Sequence, residues 1–113
     1  MKFIYACDIH GDEYKYEKLL VEAIKQKVKY LVFGGDLLPK NCSDRYNEQK
    51  IFIEKFFDNY FTKLKENNIK CICILGNDDL EQLDETFENE CNKFDNVFNI
   101  DNKKTSNSFQ EKY

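Results

Sequence analysis

Three short segments of this 113-residue sequence gather metal-binding donors beside glycines: Asp8-Ile9-His10-Gly11-Asp12, Gly34-Gly35-Asp36 and Gly76-Asn77-Asp78-Asp79. His10 is the only histidine in the chain. Carboxylate, imidazole and amide oxygen together suit a borderline or hard divalent ion such as Mn, Fe, Zn or Mg. The glycines let the backbone turn sharply and come close to a bound group. In Asp8-x-His10 the side chains fall on the same side of an extended segment, so both can reach one ion. Taken singly, an Asp or Asn after a strand is most simply a turn or cap residue. It is the recurrence in three segments, with the lone histidine at the Asp-x-His position, that points to a metal.

Such donors are useful only if the chain brings them together, and the patterning around them supplies the means. Lys2–Cys7, Tyr30–Phe33 and Ile69–Leu75 are short apolar runs rich in strand formers, and each ends directly in one of the three segments. Between the first two, Tyr16, Leu19, Leu20, Ala23 and Ile24 mark one face of a helix, with Asp12 as its N-cap. Leu37–Asn47, which holds the only proline, Pro39, reads as a loop. Ile53, Phe56, Phe57, Tyr60, Phe61 and Leu64 then form a second helical stripe, ending near Asn67-Asn68 and best explained as core. Asp79 and Gln82 resemble a capping box for a third helix with Leu80, Leu83 and Phe87 on its apolar face, and Val97–Ile100 reads as a fourth strand. Asp12, Asp79 and Glu81 fit helix N-terminal charges better than ligands. The order β-α-β-α-β-α-β implies an α/β layered domain with parallel strands and right-handed helical crossovers. Ligands of open parallel sheets bind at the carboxyl ends of the strands, where the three segments would meet.

In these motifs the sequence resembles the calcineurin-like metallophosphoesterases, a family marked by Asp-x-His after the first strand, Gly-Asp after the second and Gly-Asn-His/Asp after the third. The resemblance covers roughly residues 1–80 and implies the N-terminal half of a four-layer sandwich. It further implies that Asp8 and His10 bind a first metal, Asp36 bridges two, and Asn77 binds the second. Asp78 stands where the family usually has a histidine acting on the phosphate or leaving group; as a carboxylate it is ionised unless its pKa is raised. The implied activity is hydrolysis of a phosphate monoester or diester by a metal-activated hydroxide, with two divalent ions and a small-molecule phosphoester substrate. The family's later histidine and Gly-His-x-His segment have no counterpart in residues 81–113. The alternative expectation is therefore a truncated, non-catalytic remnant acting as a binding or scaffold module, or a site completed by self-association or a partner.

Length and composition set the outer bounds. The chain suits a single domain over residues 1–100 followed by a polar tail, 101–113, and its 42% apolar content can build a core. A half-domain of this kind would leave one side of its core uncovered and favour association. Nothing resembles a signal peptide or a membrane span, so a cytoplasmic protein is expected. Seventeen basic against twenty-one acidic residues, with no basic block, give no support to nucleic-acid binding. Among the five cysteines no pair has C-x-x-C spacing. Cys7, Cys71 and Cys73 are expected to be buried, Cys42 and Cys91 are candidates for exposed thiols, and Cys71 and Cys73 are expected on opposite strand faces. Phosphate-loop and nucleophile-elbow motifs are missing, and Ile9-His10 does not fit the Asp-x-Asp of a haloacid-dehalogenase-like phosphatase.

Overall fold

Residues 2–40, 43–74 and 81–100 are described by the computed structural model. Four strands, β1 (Phe3–Ala6), β2 (Tyr30–Phe33), β3 (Lys70–Cys73) and β4 (Val97–Asn99), form one parallel sheet in the order β1-β2-β3-β4. Between them run α1 (Glu13–Lys25), then α2 (Arg45–Ile51), a π-helical segment Phe52–Phe57 and α3 (Asp58–Glu66), and finally a 3-10 turn Glu81–Leu83 with α4 (Asp84–Asn92). This is the expected α/β order.

A sheet wound in one direction by right-handed crossovers carries all of its helices on one face. Burial shows which face that is. Leu31, Phe33, Cys71, Cys73 and Val97 are buried, whereas Phe3, Tyr5 and Phe98, which alternate with them or lie in the intervening register rows, are exposed. The core lies between the covered face and the helices. Tyr16 of α1 is its centre, touching the rings of Phe33, Phe52, Phe56, Phe57 and Tyr60 at centroid distances of 5.2–5.8 Å. Its hydroxyl donates to the Leu37 carbonyl at 2.8 Å, and the Tyr60 hydroxyl donates to the Tyr16 carbonyl at the same distance. Two buried phenols thus tie the segment after β2 to α1, and α1 to α3.

Several local expectations need correction. The second helix starts at Arg45, inside the expected loop, because the Asp44 carboxylate accepts the Asn47 backbone N–H at 3.3 Å and its side-chain amide at 2.7 Å. A polar cluster that reads as loop is here a cap. Residues two apart on a pleated strand share a face, so Cys71 and Cys73 both point into the core, their sulfurs 3.4 Å apart. Contact with the Cys71 thiol, and then burial, hold the Cys73 pKa well above its ordinary value. Cys91, on α4, is buried as well, and burial raises its thiol pKa strongly. Cys7 is exposed, since β1 ends one residue before it. Cys42, Leu80 and the Asp79–Gln82 capping box, through Asp79, lie outside the described residues, as do residues 101–113.

One buried acid carries a prediction. Glu90 of α4 is only 2% exposed; one oxygen accepts from Lys93 Nζ at 3.1 Å and the other, Oε2, has no hydrogen-bond partner. Burial, reinforced by the nearby Asp58 carboxylate, raises its pKa, while Lys93 pulls it down less strongly. The folded state therefore holds this proton more tightly than the unfolded chain. Its contribution to stability is present at low pH and lost as pH rises through the raised folded value. Glu90→Gln keeps an acceptor for Lys93 and removes the charge. It is expected to raise neutral-pH stability by about 1 kcal/mol, the gain shrinking as pH falls toward 4.5, the ordinary value. Thermal melts of both proteins across that range check it; a gain independent of pH would contradict this account.

Candidate metal centre

Beyond the last paired residues of β1 and β2 the two segments stay joined by backbone hydrogen bonds. Gly34 N–H donates to the Ala6 carbonyl at 2.8 Å, Asp8 N–H to Gly35 at 3.2 Å, His10 N–H to Asp36 at 2.8 Å and Gly11 N–H to Leu37 at 2.9 Å. Segment 8–11 is thus laid along segment 35–37. Ile9, 3% exposed, plugs into the core between Asp8 and His10, and Leu37 and Leu38 do the same just after Asp36. The ligand-bearing residues alternate with anchors, so their side chains are left at the carboxyl edge of the sheet.

The convergence of Asp8 and His10 does not come from an extended strand. Asp8, His10 and Asp36 all have positive φ, at 57°, 50° and 54°. This left-handed conformation costs a non-glycine residue roughly 1–2 kcal/mol and is commonest in Asn, Asp and His. The other two described non-glycine residues that adopt it, Lys27 and Asn68, directly follow helix ends, where it is the usual terminator. At the three candidate ligands it turns consecutive donors toward one point. Such strain is characteristic of functional sites.

The result is a cluster of one ligand atom each from Asp8, His10 and Asp36, all within 4.8 Å of one another. His10 Nε2 lies 3.9 Å from Asp8 Oδ1, with the Asp8 side chain 65% and the imidazole 23% exposed. His10 Nδ1 is buried with no hydrogen-bond partner. A donor set of two carboxylates and an imidazole, one nitrogen of which is otherwise unused, fits a divalent cation of the Mn, Fe, Zn or Mg class. Beside it the exposed Cys7 thiol donates weakly to Asp8 Oδ2 at 3.6 Å. Desolvation, then the Asp8 and Asp36 carboxylates, raise its pKa. Asp12 does what its position predicted, capping α1 by accepting from Tyr14 and Lys15 N–H at 3.1 and 3.3 Å.

Against this geometry, a family model of the calcineurin-like phosphoesterases matches residues 1–113, the whole chain. The chain belongs to the calcineurin-like phosphoesterase family. Comparison with curated proteins finds no match, and comparison with solved structures finds none either. For a calcineurin-like phosphoesterase, three of the five site residues marked out in the sequence, Asp8, His10 and Asp36, are brought together. Asn77 and Asp78 lie outside the described residues. What sequence reading missed is the support: the left-handed turns, and the packing of Gly11 against Pro39. Glycines at both turns were the visible signal.

Two of the glycines beside this cluster should tolerate substitution very differently. A Cβ on Gly11, at φ +73°, would lie 2.6–2.8 Å from the ring and backbone nitrogen of Pro39, which cannot swing away. Gly11→Ala is therefore expected to cost roughly 2–3 kcal/mol. On Gly34 the clash is with the Tyr5 hydroxyl, at the end of an exposed side chain free to rotate. Gly34→Ala should cost less than about 1 kcal/mol. Denaturant melts rank the two, and equal losses would refute the Pro39 contact.

Proposed function

We propose that this chain is a metal-dependent phosphoesterase, hydrolysing a phosphate monoester or diester with Asp8, His10 and Asp36 holding a divalent cation. The observation that carries the reading is the left-handed convergence of these three side chains at the carboxyl edge of a parallel sheet. A bound cation would polarise the phosphoryl oxygens and lower the pKa of the attacking water. The chain's own residues do the rest. Asp8 and Asp36 supply the negative charge that retains the cation, and His10 supplies a neutral donor held in place by buried Ile9. Where a second ion is bound, Asp36, on the second strand end, and Asn77 would be the residues that hold it. Asp78 follows Asn77 in sequence and is assigned to the phosphate or leaving group, where it would orient rather than protonate at neutral pH. A reducing, cytoplasmic setting is part of the reading, supported by the free thiols of Cys7, Cys71, Cys73 and Cys91.

The test is hydrolysis of an aryl phosphate monoester and an aryl phosphate diester with added Mn²⁺. Turnover of one of them that chelator abolishes and Mn²⁺ restores is expected. Tight Mn²⁺ binding with neither ester turned over would replace this reading with the non-catalytic one, a binding module on the same scaffold.

A further inference from the structure

The fold gathers at one edge positive charge that the sequence scatters. Lys2, Lys29 and Lys70 stand at the entries of β1, β2 and β3, and the backbone lays them side by side. Lys29 N–H donates to the Lys2 carbonyl at 3.4 Å, and Lys70 N–H to the Lys29 carbonyl at 2.8 Å. With ~4.8 Å between strands, these three lysines start within about 10 Å of one another. Lys25 and Lys27 reach the same edge from the end of α1, through the turn that leads into β2. All of them are exposed, and among the described residues none has an ion-pair partner, whereas Lys63, Lys65 and Lys93 do. Lys25 and Lys27 suit the negative end of the α1 dipole; Lys2, Lys29 and Lys70 belong to no helix. Acids are few here. Asp95 is taken by Lys65 at 3.4 Å, Glu66 ends α3, and Glu22 accepts from the Gln26 amide a turn inside α1.

We infer that this amino edge is a docking surface for an anionic membrane leaflet, held peripherally by the lysine ammonium groups against lipid headgroups. The kind of charge favours that partner. Arg45 opens α2 at the other end of the sheet, and the edge itself carries lysines alone. A lysine is a point charge, suited to a diffuse negative field rather than to bidentate reading of a phosphate or a base. Val28 and Ile69, which sit among the lysines in the two turns, are buried, so those turns present charge and no apolar anchor for a protein partner.

The charge is also one-ended. Asp8 lies ~20 Å along the chain from Lys2, beyond the ~8 Å over which charges act at physiological salt. A chain with a net charge of -4 can therefore still turn a positive end to a negative surface. β4 runs parallel to the other strands, so residues from 101 onward leave the described fold at the end far from the lysines. Each lysine close to an anionic leaflet strengthens binding about five-fold. The attachment is accordingly weak, reversible and dependent on salt.

Co-sedimentation of the full chain with phosphatidylserine-containing vesicles and with pure phosphatidylcholine vesicles tests it. Binding to the first alone, lost at high salt, is expected. Lys27→Asn combined with Lys29→Glu should weaken it at least ~25-fold; asparagine suits the φ of 56° at position 27. Lys15→Gln combined with Lys18→Glu, in the first half of α1, changes the net charge equally and should leave most of the binding. Circular dichroism confirms that both variants are folded. No binding to the anionic vesicles at low salt, or equal binding to phosphatidylcholine, would overturn the proposal. Equal losses from the two pairs would overturn it by showing that net charge acts rather than this edge, and binding that neither pair weakens would place the contact elsewhere. Tighter binding to single-stranded RNA than to the anionic vesicles, lost in the Lys27 and Lys29 variant, would make nucleic acid the partner and overturn the membrane assignment.

Discussion

Phe57→Ala should remove most of the stability of this fold. Phe57 is fully buried at the junction of the π-helical segment and α3, where its ring meets Tyr16, Phe52, Phe56, Phe61 and Phe87 at centroid distances of 5.1–6.1 Å. It joins α1, the long second helix and α4 in one cluster, so no neighbour can move in to fill the space without leaving another ring. A buried Phe→Ala change costs ~3–5 kcal/mol. Small domains hold ~5–15 kcal/mol in total. At ~4–8 °C per kcal/mol, the midpoint of a thermal melt should fall by at least ~12 °C, and a fraction of the chain should be unfolded before heating begins. Ile51→Ala, at a side chain 51% exposed on the same helix, should move it by a few degrees at most. Similar shifts for the two would mean that the ring cluster does not organise the core.

Asp36 should matter as much to the chemistry as Phe57 does to the fold. The informative variant is Asp36→Asn rather than alanine, because φ at this position is +54° and asparagine tolerates the left-handed region where alanine is strained. The hydrogen bond that holds the two strand ends together, His10 N–H to the Asp36 carbonyl, belongs to the backbone and survives the change. What is lost is one of two negative charges in a cluster of three donors. Loss of a group that merely supports a ligand typically costs ~10–100-fold in metal affinity or activity, so loss of the ligand charge itself should exceed ~100-fold in Mn²⁺-dependent ester hydrolysis. The melting temperature without metal should be unchanged or slightly higher, since repulsion from Asp8 is relieved. Undiminished hydrolysis would show that Asp36 is a turn residue and nothing more.

Much of this architecture was legible in the residues, for reasons that are physical. The strands at Tyr30–Phe33 and Lys70–Cys73 are short runs with polar or glycine boundaries, and the helix stripe from Ile53 to Leu64 repeats at the helical period, so type and order followed directly. The identity of Asp8, His10 and Asp36 as one cluster followed from the rule that parallel strands end together. The means by which they converge did not. Positive φ at three non-glycine residues is imposed by the pairing of segment 8–11 with segment 35–37, a tertiary interaction that no local preference encodes. Burial at Cys91 and exposure at Cys7 were misread for the same reason: each is decided by where an element stops and what packs across it. The other face of the sheet is intermediate. Alternation marked no polar side for β1 or β3, and only the one-directional strand order reveals that, among the described residues, the helices lie over one side of the sheet.

Whether Asp8, His10 and Asp36 constitute a cation site is decided by calorimetric titration of the chain with Mn²⁺. Saturable binding of at least one ion per chain is expected, weakened ~100-fold or more by His10→Gly, which removes the imidazole and is unstrained at the φ of +50° found there. Absence of binding at millimolar Mn²⁺, or binding that His10→Gly leaves unchanged, would contradict a cation site at these three residues.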